Sequence, residues 1–139
     1  MDRQQLERYR SQKEEIRELQ YKLEHLGEGG SLIGNDIIFD YSTGFPRPQA
    51  IVGYDYDKEQ RLRARYESHL NKLQKECDET EQWIEAISDS QTRRILRMRY
   101  LEGKTLEQVG KKTYMDKSTV SRKIDNFLKI ATNATNAII

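Results

Sequence analysis

Between Lys117 and Lys129 the chain reads Lys-Ser-Thr-Val-Ser-Arg-Lys-Ile-Asp-Asn-Phe-Leu-Lys. Val120, Ile124, Phe127 and Leu128 recur at spacings that place them on one flank of a helix, which that helix must bury. Lys117, Ser118, Thr119, Ser121, Arg122 and Lys123 are left for the other face. These are short hydroxyls and long cations, with no acid before Asp125. Short Ser and Thr side chains let a helix approach base edges in a major groove, while Lys and Arg reach guanine edges and phosphates. The helix N-terminus itself favours phosphate. Arg93, Arg94, Arg97, Lys111 and Lys112, in the segments just before, are candidate phosphate contacts that add affinity without sequence information. The six residues would also suit an ordinary solvated helix face. The lack of acids and the local charge favour a polyanion, and double-stranded DNA is the expected partner.

Three helical segments must hold this face in place. The first is expected over Asp89–Leu101, with Ile95, Leu96, Met98, Tyr100 and Leu101 among its apolar positions. Glu102-Gly103-Lys104 ends it, Gly103 being free to take a positive φ. Thr105 then caps the second helix, and Gln108 stands at the fourth position of a Thr-x-x-Gln capping box. Leu106 and Val109 face inward, and Gly110 is expected where two helices cross closely. The turn spans about Thr113 to Asp116, with Met115 as its apolar plug and Asp116 as cap of the third helix. Together these make a helix-turn-helix over residues 88–130.

The text RRILRMRYLEGKTLEQVGKKTYMDKSTVSRKIDNFLK strongly resembles the fourth conserved region of bacterial sigma factors and the related response-regulator output domains. Arg-x-Arg-Tyr before the glycine, then Thr-Leu-Glu-Gln-Val-Gly, then Ser-Thr-Val-Ser-Arg, stand where that family places them. Lys111-Lys112-Thr113-Tyr114 departs from the family's Ala/Leu-rich end of the scaffold helix, so the turn is expected to differ slightly. More of the chain is similar to the ArpU/RinA group of phage-encoded transcriptional regulators. That likeness rests on a heptad-bearing N-terminal helix, the stretch Asp40-Tyr-Ser-Thr-Gly-Phe-Pro followed by Ala50-Ile-Val-Gly53, and Ile84-x-x-Ile87 running into the Arg-x-Arg-Tyr helix. The resemblance implies a sequence-specific regulator of late phage or prophage genes in a Gram-positive host, with host RNA polymerase as a further partner.

The remainder of the chain is acidic where the helix-turn-helix is basic. Ser88–Ile130 holds eleven Lys/Arg against five Asp/Glu; all other residues hold thirteen against eighteen. Only the last part is therefore suited to a polyanion. Two heptad seams are visible, one at Tyr9, Gln12, Ile16, Leu19, Leu23 and Leu26 within a helix over residues 2–26 that stops at Gly27. The other is at Tyr66, Leu70, Leu73, Cys77, Thr80, Ile84 and Ile87, with Asp55 or Asp57 as its cap. The two pair as an antiparallel hairpin or across a dimer. A dimer or larger homo-oligomer is favoured, since a lone helix-turn-helix covers few base pairs. Residues 27–56 hold both prolines and six glycines; Asp36–Tyr41 and Gln49–Tyr54 fit either a small β-hairpin or an ordered loop. The expected architecture is all-α, with residues 1–87 a helical hairpin and oligomerisation region around the loop 27–56. Residues 88–130 form the DNA-binding domain, and 131–139 a flexible tail.

Catalysis is not expected. His25 and His69 lack metal-ligand spacing with Cys77, the sole cysteine, which falls on a seam and reads as core. Gly27-Glu-Gly-Gly lacks the Lys-Ser/Thr of a phosphate-binding loop, and no cofactor or metal is implied. The single thiol, and no apolar run of membrane-spanning length, fit a cytoplasmic protein with no membrane role. Two other functions fit the same features: a small terminase-like DNA-packaging subunit, or a protein that binds RNA polymerase with weak DNA affinity.

Overall fold

The computed structural model describes residues 1–27 and 55–138, with side chains described up to residue 132. The described residues are all-α: α1 (Arg3–Glu24), α2 (Tyr56–Glu85), α3 (Ser90–Leu96), α4 (Leu106–Thr113) and α5 (Lys117–Ile138). The segments considered for a β-hairpin, and the Asp40–Gly53 motif, lie outside the described residues.

Both α1 and α2 begin as their sequences dictate. The Asp2 carboxylate accepts from the Gln5 amide at 2.8 Å, and the Asp55 carboxylate accepts from the Lys58 amide at 2.9 Å, so Asp55 is the cap of α2. Gly27, at φ +90°, ends the first helical run. Contacts group the described chain into two units, one made of Met1–Glu14 and Gln74–Ile139, the other of Glu15–Leu73.

In the second unit Ile16, Leu19 and Leu73 are buried seam residues. His69 meets the Glu15 carboxylate at 2.8 Å, and the Lys22 ammonium lies 5.6 Å from the centroid of the Tyr66 ring. As numbers rise along α1 they fall along α2, so the helices run antiparallel. The first unit has the same sense: the Tyr9 hydroxyl donates to Glu81 at 2.6 Å, and the Gln12 amide to Glu76 at 2.6 Å. Burial, then the bond to Glu81, pushes the Tyr9 pKa up, so its hydroxyl stays a donor. Gln12, Cys77 and Thr80 form a buried polar stretch of the seam; the Thr80 hydroxyl is satisfied by the Glu76 carbonyl at 3.1 Å. The seams are thus used within the chain.

The first unit also carries the main apolar core. Ile95, Leu96, Met98 and Tyr100 from the α3 region, Val109 from α4, and Val120, Ile124 and Leu128 from α5 pack with Ile84 and Ile87, and with Leu6 of α1. Leu6 is 1% exposed. Residues 1–87 were expected as a hairpin and oligomerisation region; the first turns of α1 and the end of α2 also complete the core of the helix-turn-helix.

Two further elements depart from expectation. The helix after Asp89 is α-helical only to Leu96; Arg97–Leu101 winds as a π turn, with the Glu102 amide bonded to the Arg97 carbonyl at 3.0 Å. Such a wider turn rotates the residues after it, here bringing both Met98 and Tyr100 inward. At the other end, α5 continues past Lys129 to Ile138, through the stretch expected as a flexible tail. No Gly or Pro follows Lys129, and Ala131, Ala134 and Ala137 favour helix.

Candidate nucleic-acid interface

The candidate interface is presented by α5, and the preceding chain fixes how α5 emerges. Gly103, at φ +73°, reverses the chain after the π turn. Thr105 caps α4 through the expected box: its hydroxyl accepts from the Gln108 amide at 3.1 Å, and the Gln108 side chain accepts from the Thr105 amide at 2.9 Å. The turn after α4 is made by Tyr114 in the left-handed region, φ 58° and ψ 43°, with its ring 96% exposed. That conformation costs a non-glycine residue about 1–2 kcal/mol.

Gly110 is required here, for a different reason than expected. A Cβ at this position would lie 2.4 Å from the Met115 carbonyl oxygen, so the glycine makes room for the turn's backbone and not for a helix crossing. The Met115 amide in turn donates to the Gly110 carbonyl at 2.9 Å. Met115 is half-buried against the core as the expected plug, and the Asp116 carbonyl accepts the first helical bond of α5, from Val120 at 3.0 Å.

With Val120 fully buried and Ile124 and Leu128 nearly so, the opposite side of α5 is set. Ser118, Arg122, Asp125 and Lys129 follow one another by 4, 3 and 4 residues, a single stripe, and all four are exposed. Arg122 is its centre. Its neighbours Ser121 and Lys123 project about 100° to either side. Ser121 is half-buried, and Lys123 is exposed with its ammonium on the Gln91 side chain at 2.7 Å. Lys117 and Thr119 occupy the first turn, Lys117 exposed and 3.9 Å from Glu107, Thr119 half-buried.

The supporting cations divide. Lys111 and Lys112 are exposed at the end of α4, and an Arg94 nitrogen lies 3.5 Å from the Lys112 carbonyl, so these three sit together. Arg93 is half-buried and donates to the Ile87 carbonyl at 2.7 Å, which ties α3 to the end of α2; Arg97 is half-buried in the π turn. Arg93 thus has part of its donor capacity committed to the fold. At the start of α3 the Asp89 carboxylate accepts from the Thr92 hydroxyl at 2.6 Å and the Thr92 amide at 3.0 Å. Those bonds hold its pKa below the usual value, with Lys123 and Arg93 adding smaller contributions.

One contribution was missed. Asp125 is an acid on the exposed stripe, and it is paired with Arg3 of α1. Arg10, one face-repeat along the same helix, donates to the Glu102 carbonyl at 3.1 Å. The spacing of Arg3, Glu7 and Arg10 puts them on one helix face and was readable in the sequence; the element they meet was not.

Three helices in this order, with a capped scaffold helix, a tight left-handed turn and a cationic exposed stripe, are the parts of a helix-turn-helix. Residues 89–129 match the family model for sigma-70, region 4. The match runs from the cap of α3 through the π turn and α4 to Lys129 of α5. It leaves α1 and α2 uncovered. No curated protein and no solved structure matches the chain. The C-terminal part is therefore a region 4-type helix-turn-helix, and the family is one of DNA-binding domains without catalytic function. Among the described residues no cluster of metal-ligating side chains occurs, and no helix is long and apolar enough to cross a membrane.

Proposed function

We propose that this protein is a sequence-specific DNA-binding regulator of transcription that reads a major groove with the first turns of α5. The observation that carries this reading is Arg122. It stands exposed at the centre of a stripe whose reverse side is Val120, Ile124 and Leu128, so it cannot turn inward without unfolding the domain. Ser118 and Thr119 precede it on the turn that enters a groove first, and they are short enough to let the backbone approach. Lys117 and Lys123 bound this face. Lys111, Lys112 and Arg94 form a separate cationic group suited to phosphates, with Arg93 and Arg97 as supporting residues. The region 4 match supports the same assignment of roles.

The resemblance of the heptad-bearing first helix, the Asp40–Gly53 stretch and Ile84-x-x-Ile87 to the ArpU/RinA group supports late phage or prophage genes as the ones regulated. Host RNA polymerase is a partner of this reading, and a dimer would double the base pairs read. Footprinting across the DNA around the protein's own gene tests it. One protected site is expected, with its affinity exceeding that for unrelated DNA by about a thousandfold or more. Weak, salt-labile binding spread evenly over all sequences would remove the claim of specificity. Mass measurement in solution separates regulation from packaging: a ring of about eight or more copies would indicate a terminase-like subunit.

A further inference from the structure

Beside the reading helix, α1, the π turn and α5 enclose a cleft. Arg3, Glu7 and Arg10 line it from α1, Arg99 from the π turn, and Ser121 and Asp125 from α5. Three guanidiniums converge here against two carboxylates, leaving one net positive charge. Each guanidinium is tethered by one nitrogen, which fixes its position. Arg10 holds the Glu102 carbonyl, Arg99 holds the Lys104 carbonyl at 3.1 Å, and Arg3 holds Asp125. A guanidinium carries five N–H donors, so each retains donors for a second acceptor. The cleft depends on Gly103: a Cβ there would lie 1.0 Å from an Arg10 nitrogen, so only the bare glycine lets that side chain settle over the turn.

The position of the cleft relative to Arg122 gives it a use. If Arg122 points at bases, residues on either side of it point at the two sugar–phosphate walls of the groove. Lys123 and Gln91 lie on one side. Ser121 and the arginine cleft lie on the other. We propose that this cleft receives a DNA backbone phosphate, with Arg10 and Arg3 as its donors, so that the first helix of the chain is part of the DNA-binding surface. Arg99, half-buried, positions the turn beneath them. Asp125, which would otherwise repel that phosphate, is neutralised by Arg3. The proposal rests on the reading of α5 given above and extends the interface to a part of the chain outside the region 4 match.

The test is the salt dependence of binding to the footprinted site by the full chain and three variants: Arg10→Ala, the double variant Arg3→Ala with Asp125→Asn, and Arg122→Ala. The double change removes the ion pair whole, so no orphaned acid confuses the result. Thermal melts confirm folding. Each lost phosphate contact lowers the slope of log affinity against log salt by about 0.9. That drop is expected for Arg10→Ala and for the double variant. Glu7→Gln, which removes the cleft's second acid, should tighten binding, while Glu79→Gln on an exposed part of α2 should not. If Arg10→Ala and the double variant keep the parent slope while Arg122→Ala weakens binding, the cleft is not a phosphate site and the reading of α5 stands. If Arg122→Ala is also without effect, both fall together.

Discussion

Arg122 and Gly110 show how differently single residues act on the same surface. Arg122 touches solvent alone, so Arg122→Ala should leave stability within about 0.5 kcal/mol of the parent. DNA affinity should fall by about 1–3 kcal/mol and discrimination between the site and unrelated DNA should relax, as read by fluorescence anisotropy on both. Unchanged affinity and discrimination would eliminate it as a contact. Gly110→Ala should do the reverse. Its added carbon meets a backbone oxygen of the turn at 2.4 Å, which cannot rotate away as a side chain does. A loss of about 1–3 kcal/mol in urea melts is expected, with weaker DNA binding only to the extent that the turn shifts. The need for a glycine was legible in the Leu-Glu-Gln-Val-Gly text, but its cause was not. A helix crossing and a folding-back turn both demand a missing side chain, and spacing alone does not distinguish them. In the same way the exposed face of α5 was readable from its apolar period, whereas the use of Arg93 on the Ile87 carbonyl was not, because a tether to backbone leaves no mark on side-chain pattern.

Among elements, α3 is the one whose sequence and structure differ most. Its cap is strong: Asp89 holds both the hydroxyl and the amide of Thr92. Those bonds depress the Asp89 pKa below its ordinary 3.8. A carboxylate with a depressed folded value contributes stability above its unfolded pKa and loses it as pH falls through the folded one. Replacing Asp89 with Ala should therefore lower stability at about pH 7, and the difference from the parent should be smaller at about pH 2. Asp89→Asn should keep much of the capping and lose the pH dependence. Urea melts at the two pH values check both. A gap that stays constant with pH would show that the carboxylate's charge is not what caps this helix. Caps of this kind, and the Thr105–Gln108 box, could be read directly, since they depend on residues three apart. The π turn at Arg97–Leu101 could not. It answers the need to bury Met98 and Tyr100 together, and that need arises only once α1 and α5 are present.

For the molecule as a whole, the region 4 unit does not end where its family match does. Leu6, Ile84 and Ile87 supply part of its core, and all three lie before residue 89. A fragment of residues 88–139 should therefore melt broadly, at a lower temperature than the full chain, with reduced near-ultraviolet circular dichroism. Leu6→Ala in the full chain should cost about 2–5 kcal/mol, the range for a fully buried leucine. A sharply melting fragment, or a Leu6→Ala change of a few tenths, would show the helix-turn-helix to be self-sufficient. The charge split had suggested that only the basic last part meets a polyanion, and it carried no sign that the acidic part completes the reader's core. Net charge per segment records which solvent-facing residues a segment carries, and it is silent about one leucine. Leu6 stands three residues before Tyr9 and could have been added to the seam; what it packs against is set by tertiary contact.

The place of Leu6 has a temporal side. A ribosome adds about 5–20 residues per second, so this leucine leaves the tunnel several seconds before Val120 and Ile124 have been made. The hydrophobic slot that receives it does not exist until Val120, Ile124 and Leu128 have followed. A growing chain must therefore carry Leu6 unsatisfied while more than a hundred residues are added behind it, even after α1 has paired with α2, and the DNA-competent unit closes only once α5 has emerged.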